Sequence, residues 1–249
     1  GGALALLSNA LALTRNRPAL AWAAGTLGIL AASLFYGDAI ITPAISELSA
    51  VEGIAIAAPA MQGLIVPIAL VILISLFMLQ RRGTAQVGAL FGPVMIVWFL
   101  TLAALGIRSV VQTPGVLAAI SPVYAIEFAL RHPGATFVVL GAVFLTLTGA
   151  EAMYADLGHF GRKPIRVGWF GLVFPCLMIN YFGQGALVLR EPDAVRNPFF
   201  LLAPEPLLIP MVILATMATI IASQATISGA FSVTQQASRL NYQIGRAHV

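Results

Sequence analysis

Long apolar stretches, separated by short polar turns, dominate the 249-residue chain. A membrane-spanning helix needs about 20 mainly apolar residues. Six stretches meet this requirement, and they cover roughly residues 19–46, 62–80, 89–107, 135–155, 167–189 and 206–233. A seventh apolar piece, residues 3–13, is too short to span a bilayer. The pattern predicts an all-α integral membrane protein, a polytopic helix bundle, with a short surface helix around residues 122–130.

Both ends of the sequence look arbitrary. The chain starts with Gly1-Gly2 and no Met, and its tail from Tyr242 to Val249 contains no clear terminating structure. We therefore expect residues 1–249 to be a single transmembrane domain fragment that begins partway through a helix.

Composition agrees with a membrane setting. The chain is 59% hydrophobic and 9% charged, with a mean hydropathy of +0.95, whereas soluble domains carry roughly 25% charged residues. The single cysteine, Cys176, excludes an intrachain disulfide and a cysteine metal cluster, so we interpret it as a small buried hydrophobe. No block of Lys and Arg with interleaved aromatic residues occurs, which argues against a nucleic-acid partner.

The loop charges predict an orientation. If the six spans alternate, nine basic residues fall on one side, namely Arg15, Arg17, Arg81, Arg82, Arg162, Lys163, Arg166, Arg239 and Arg246. Four fall on the other side, namely Arg108, Arg131, Arg190 and Arg196. The positive-inside rule then places the Arg81–Arg82 and Arg162–Lys163 loops in the cytoplasm. Most remaining acids, namely Glu47, Glu52, Glu127, Glu191, Asp193 and Glu205, are expected outside or at the outer boundary.

A carboxylate inside the first apolar stretch is the strongest candidate functional residue. Asp38, Thr42 and Ser46 follow one another at i, i+4 and i+8, so their oxygens line one helix face. Pro43 deprives the carbonyl of Ala39 of its usual partner. An all-oxygen surface of this kind suits a hard cation. The alternative is a kinked helix whose hydroxyl groups bond to their own backbone, which leaves Asp38 unexplained.

The fourth apolar stretch ends with a second carboxylate. Thr148 and Glu151 are three residues apart on one helix face, and Gly149 between them would tolerate local unwinding. Transporters form ion sites from such broken helices. The alternative is a Glu151 side chain that reaches the cytoplasmic boundary. Two carboxylates in one low-dielectric region also suggest proton coupling, with Glu151 as the favoured proton-sensitive member and Asp38 as the direct ion ligand.

Other polar residues of the spans admit two interpretations each. Thr216, Thr219, Ser223 and Thr226 lie on one face of the last span, and we interpret them as helix packing, with pathway lining as the alternative. Asn180 and Gln184 in the fifth span are equally compatible with packing and with gating. Prolines 67, 93 and 175 are most simply kinks.

Five motifs in order resemble those of the Kup (KUP/HAK/KT) potassium uptake transporters. They read YGDAIITPAISELSAVEG, QRRGTAQVGALFGPVMIVWF, TGAEAMYADLGHFGRKPIR, NYFGQGALVL and IASQATISGAFSVTQQA. The similarity runs from Gly1 to about Ala237. The closing RLNYQIGRAHV departs from the family pattern beyond Arg239.

The resemblance implies several further properties. Kup proteins are similar to the amino acid–polyamine–organocation superfamily, whose membrane domain contains inverted repeats, and they take up potassium, generally with protons. Asp38, Thr42 and Ser46 would lie on the family's third helix, and Thr148 and Glu151 on its sixth. The chain would run from the end of the second helix through the eighth, so the family's first helix, later helices and cytoplasmic C-terminal domain would be missing. No cofactor is implied besides the transported potassium ion and proton, and a homodimer of the full-length protein is left open.

Three alternatives differ in what they require of the sequence. A transporter of another solute, such as an amino acid, would rely on Gly-rich unwound segments rather than paired carboxylates. A membrane enzyme would need a nucleophile–base pair or metal ligands at membrane depth, and the spans contain no His, no HExxH and no GxSxG. A channel would show a repeated filter segment, and no such repeat is visible. The sequence therefore predicts a potassium symporter of the cell inner membrane.

Overall fold

The computed structural model of this chain describes Leu13 and residues 17–80, 85–145 and 161–239. Its α-helices, in chain order, are α1 (Pro18–Ala57), α2 (Ile65–Gln80), α3 (Ala85–Gln112), α4 (Pro122–Arg131), α5 (Pro133–Leu145), α6 (Arg162–Gly168), α7 (Phe174–Arg190), α8 (Pro198–Leu201) and α9 (Leu208–Arg239). Short 3-10 turns at Pro59–Leu64, Pro114–Ile120, Pro192–Arg196 and Glu205–Leu207 connect them. A π-helical turn at Trp169–Val173 joins α6 to α7.

Five described segments are long and apolar enough to cross a membrane: Pro18–Ala57, Pro59–Met78, Leu90–Gln112, Arg162–Arg190 and Glu205–Phe231. They coincide with five of the six predicted stretches. The remaining prediction, residues 135–155, begins with α5, an apolar helix of 13 residues, and its second half lies outside the described residues. The surface helix predicted around residues 122–130 is confirmed as the exposed helix α4.

The predicted end of the first span, near residue 46, is wrong. Helix α1 continues to Ala57 and contains 40 residues, about 60 Å at 1.5 Å per residue. The continuation is stabilised by packing, because Ala50 and Val51 are buried and Gly53 lies against Phe200 and Val212. Pro59 ends the helix, since the residue before a proline is restricted to extended backbone and Ala58 has φ −146° and ψ 81°.

Prolines also follow α3, α4, α7 and the 3-10 turn at Pro192–Arg196, and the ends of α3 and α7 lie on the same side of the bundle as the end of α1. The preceding residues are all non-helical: Thr113 (φ −139°), His132 (φ −133°), Glu191 (φ −130°) and Asn197 (φ −162°). We call this side the proline-rich end, defined by the ends of α1, α3 and α7 and the start of α9. It is held together by side-chain contacts, among them a 3.2 Å hydrogen bond from Arg190 Nη1 to Thr113 Oγ1.

Two helix pairs form the bundle. Helix α1 packs antiparallel against α9, and α3 packs parallel to α7, with α9 also contacting α3. In the second pair the backbones meet at Gly106 and Gly183, where a Cβ on Gly183 would lie 2.5 Å from Gly106 Cα. Small residues are the usual means by which membrane helices approach closely. These two glycines therefore set the separation of α3 and α7.

The buried apolar core lies towards the proline-rich end. It contains Ala50, Leu102, Leu105, Leu187, Ala194, Phe200, Leu202, Ala203, Met211, Val212 and Ala215. The short helix α8 inserts Phe200 into this core, and Asn197 caps that helix by accepting a hydrogen bond from Phe200 N at 3.2 Å. The loop between α7 and α9 thus joins both helix pairs.

The outward-facing side chains of the long helices are apolar. Leu34 and Ile40 on α1 are 74% and 70% exposed, and Val71 on α2 is 64% exposed. An apolar surface of this extent is typical of a protein whose solvent is lipid. The prolines inside the spans lie within helical segments. The π turn ends two residues before Pro175, which cannot donate a backbone hydrogen bond.

The close α3–α7 approach gives a stability prediction. We expect Gly106→Ala to destabilise the protein by about 1–3 kcal/mol, because the new Cβ would lie 2.5 Å from the carbonyl oxygen of Ile179. Gly92→Ala is the matched control on the same helix, since a Cβ there meets nothing within 4 Å. Thermal unfolding in detergent measures both variants, and equal stability of the two would contradict the assigned contact.

Candidate functional site

Asp38 and Thr42 form the polar pair predicted on the first span. The Thr42 hydroxyl donates a 2.6 Å hydrogen bond to Asp38 Oδ1, and both side chains are half-buried. Thr42 therefore bonds to the carboxylate of Asp38. The alternative interpretation, in which the hydroxyl group bonds to its own backbone, does not hold for Thr42. The pair presents two carboxylate oxygens and a hydroxyl oxygen on one side of α1.

The rest of the predicted oxygen surface is only partly described. Ser46 follows one turn after Thr42 and is half-buried, and Pro43 is fully buried between them on another face of α1. Thr148 and Glu151, the second half of the predicted site, lie outside the described residues. Within the described ranges, no group of three His, Cys, Asp or Glu side chains is arranged to hold a metal ion.

Glu47 is a buried carboxyl group, so the prediction that it lies outside, in solvent, is wrong. Its side chain is 0% exposed and lies in the α1–α9 interface. Ser223 Oγ lies 3.2 Å from Glu47 Oε1, and Thr219 Oγ1 lies 3.1 Å from Glu47 Oε2. The reason for the error is that α1 continues beyond residue 46, so that Glu47 is covered by a neighbouring helix.

A complementary pattern in the sequence signals this contact. Ala39, Pro43 and Glu47 recur every four residues on α1, and all three are buried. On α9, Thr219 and Ser223 have the same spacing. Glu47 is thus a polar residue in an apolar stripe of α1, and α9 carries two hydroxyl groups at the same spacing. Such a pair of patterns indicates a hydrogen bond between the two helices.

The two carboxyl groups of α1 face different directions. Asp38 and Glu47 are nine residues apart, which is about two and a half helical turns, so they lie on opposite sides of α1. They are separated by about 13 Å along the helix axis. Glu47 therefore does not join Asp38 and Thr42 in one site.

The remaining polar residues of the spans divide between packing and backbone bonding. The packing interpretation of the hydroxyl stripe on α9 is confirmed for Thr219 and Ser223, which contact Glu47 across the interface. Thr216 and Thr226 instead donate to the carbonyl oxygens of Val212 and Ala222, at 2.8 and 3.1 Å. Asn180, by contrast, is buried on α7, and its Oδ1 has no hydrogen-bond partner among the described residues.

A small polar cavity lies between α3 and α7 at the proline-rich end. Its volume is about 160 Å³, and its polar lining consists of Arg108, Ser109, Gln112, Arg190 and Glu191. Arg190 donates through Nε to Glu191 Oε1 at 3.2 Å, so the charges partly compensate each other. The cavity lies in the α3–α7 pair, whereas Asp38 lies on α1.

Apolar helices of spanning length, with polar side chains paired inside them, define the class of protein as a polytopic helical membrane protein. The family model described as the K+ potassium transporter integral membrane domain matches residues 1–247. The chain belongs to this family, whose members are transporters and not enzymes.

Curated relatives support the assignment. A probable potassium transport system protein Kup from Cupriavidus pinatubonensis is 59% identical over 97% of this chain and 38% of its own length. Proteins with the same description from Pseudomonas fluorescens and Thiobacillus denitrificans are 56% and 58% identical, over 100% and 97% of this chain and 39% of their own lengths. The chain thus spans less than two fifths of these relatives. No solved structure shows a significant match.

The Glu47 contacts give a second stability prediction. We expect Ser223→Ala to destabilise the protein by about 0.6–1.7 kcal/mol, between the average and the largest value measured for hydrogen bonds between membrane helices, because Glu47 Oε1 loses its donor. Thr226→Ala serves as the control on the same helix, since its hydroxyl bonds only to its own backbone. Thermal unfolding in detergent measures the difference, and identical curves for the two variants would contradict the contact.

Proposed function

We propose that this chain is part of the membrane domain of a secondary transporter that imports potassium ions, coupled to protons. The observation that carries the proposal is the match of the potassium transporter domain over residues 1–247. Relatives described as potassium transport proteins support it. The Asp38–Thr42 pair supplies oxygen ligands for the ion on this chain. No observation favours the alternative of an amino acid as the solute.

The proposed ion site combines two parts of the chain. Asp38, Thr42 and Ser46 contribute from α1, and Thr148 and Glu151 contribute from the segment that follows α5. A dehydrated potassium ion is held by carboxylate, hydroxyl and backbone oxygens, and rocking of one helix bundle against another alternates its access. Glu151 is the proton-sensitive member and Asp38 the direct ligand. The geometry of Asp38 supports this role, because its Oδ2 remains an acceptor while Oδ1 is bound to Thr42.

The arrangement in the cell follows from the loop charges. We infer a multi-pass protein of the cell inner membrane whose proline-rich end faces outward and whose Arg81–Arg82 and Arg162–Lys163 loops face the cytoplasm. The grouping of helix ends supports this alternation, since the ends of α3 and α7 meet at Thr113 and Arg190. The fold is part of an inverted-repeat domain, completed by segments that the longer relatives possess. A homodimer of the full-length transporter is compatible with this arrangement.

Growth rescue tests the proposal. The full-length transporter that carries this chain is expressed in a bacterium lacking its potassium uptake systems, on low-potassium medium, as wild type, Asp38→Asn and Glu151→Gln. We expect rescue by wild type and loss of rescue by both variants, because each removes a carboxylate from the ion site. Glu52→Gln is the matched control for Asp38→Asn, since Glu52 is an exposed carboxylate of the same helix and its loss should leave rescue intact.

Membrane insertion of every variant is checked by quantifying the protein in isolated membranes. Normal rescue by well-inserted Asp38→Asn would contradict the proposed site. Absence of rescue by well-inserted wild type would contradict potassium uptake and make the amino-acid alternative the leading one.

A further inference from the structure

Glu47 is the buried titratable group that the proposed ion site does not use. It is 0% exposed and lies between two membrane helices, on the side of α1 opposite Asp38. Removing an ionised carboxylate from water costs several kcal/mol unless another charge compensates it. A buried Glu in this position must therefore be neutralised.

The helices around Glu47 offer no basic side chain for this purpose. Residues 208–238 of α9 and residues 65–80 of α2 contain no Asp, Glu, Lys, Arg, His or Tyr. The turn Pro59–Leu64, which also packs on α1, contains none either. The nearest charged groups on α1 are two further acids, Asp38 on the opposite face and the exposed Glu52. Because the described segments that pack on Glu47 carry no basic side chain, we consider neutralisation by a proton or by a bound cation.

The hydroxyl geometry favours the proton. Thr219 Oγ1 lies 2.9 Å from the carbonyl oxygen of Thr216 and 3.1 Å from Glu47 Oε2. A hydroxyl group has one hydrogen, so it can donate to only one of these two acceptors. If it donates to Thr216, the second contact requires a hydrogen on Glu47 Oε2, which only a protonated carboxyl group possesses.

A protonated Glu47 then satisfies every polar group of the contact. Its Oε2 donates to Thr219, and its Oε1 accepts from the Ser223 hydroxyl at 3.2 Å. Among the described residues, no further Asp, Glu, His or Cys joins Glu47 in a group of three that could hold a metal ion. We propose that Glu47, Thr219 and Ser223 form a proton-binding site that joins α1 to α9, with the proton on Glu47.

This site has a mechanical consequence for the bundle. Release of the proton would leave an uncompensated carboxylate in the interface, so deprotonation requires α1 and α9 to separate enough for water to enter. The state of Glu47 thus determines how firmly the helix that carries Asp38 is held. The proposal does not depend on which solute the protein transports.

Infrared spectroscopy tests the site directly, because a protonated carboxyl group has a C=O stretching band separate from the bands of an ionised carboxylate. The full-length transporter is reconstituted in lipid, and the spectrum of Glu47→Gln is subtracted from that of wild type at neutral pH. We expect the difference to contain one protonated carboxyl band. Glu52→Gln, the matched control on the exposed face of α1, should remove only ionised carboxylate bands.

A second variant keeps the test independent of the folding of Glu47→Gln. Ser223→Ala should retain the protonated band and shift it to higher frequency, because the C=O group loses its hydrogen-bond donor. Loss of only ionised carboxylate bands in Glu47→Gln would overturn the proposal, and so would an unshifted band in Ser223→Ala. Neither readout measures uptake, so failure of the proposed potassium transport would be recognised separately.

Discussion

The packing of this bundle depends on a carboxyl group that lies between two membrane helices, contacts hydroxyl groups and has no basic side chain on the described helices around it. Hydrocarbon offers no substitute partner for a polar group, so Glu47 must meet Thr219 and Ser223. A slip of α9 by one residue would rotate both hydroxyls by about 100° away from α1. The contact therefore fixes the register of the antiparallel pair, and with it the approach of Gly53 to Phe200 and Val212.

The second helix pair is fixed by shape rather than by polarity. Gly106 and Gly183 allow the backbones of α3 and α7 to touch, and no larger side chain fits between them. The proline-rich end then joins the pairs, since Phe200 from the connecting loop enters a core to which α1, α3, α7 and α9 all contribute. Prolines are suited to this end of the bundle, because each stops a helix where the chain must turn back.

The sequence predicts the helical membrane fold class, five of the described spans and the pairing of Asp38 with Thr42. Apolar length alone locates five spans, and four-residue spacing brings Thr42 to Asp38. The end of α1 could not be predicted in this way, because Gly53 in its last turns packs against Phe200 and Val212, which are distant in the chain. For the same reason Glu47 was assigned to a boundary, since its burial depends on a helix more than 150 residues later. The spacing of Thr219 and Ser223 was visible, but without the pairing of α1 with α9 it did not identify the group that they bind.

The two acids of α1 illustrate why helix faces matter more than distance along the chain. The proposed ion site uses Asp38 as a cation ligand, whereas the proposed proton site keeps Glu47 neutral where no described helix around it carries a basic side chain. One shared environment could not meet both requirements, because a nearby positive charge that stabilises an ionised Asp38 would disfavour a protonated Glu47. A separation of nine residues places the groups on opposite faces, one half-buried beside Thr42 and the other enclosed by α9. If both proposals hold, one helix binds a cation on one side and a proton on the other, and movement of α1 away from α9 connects the two events.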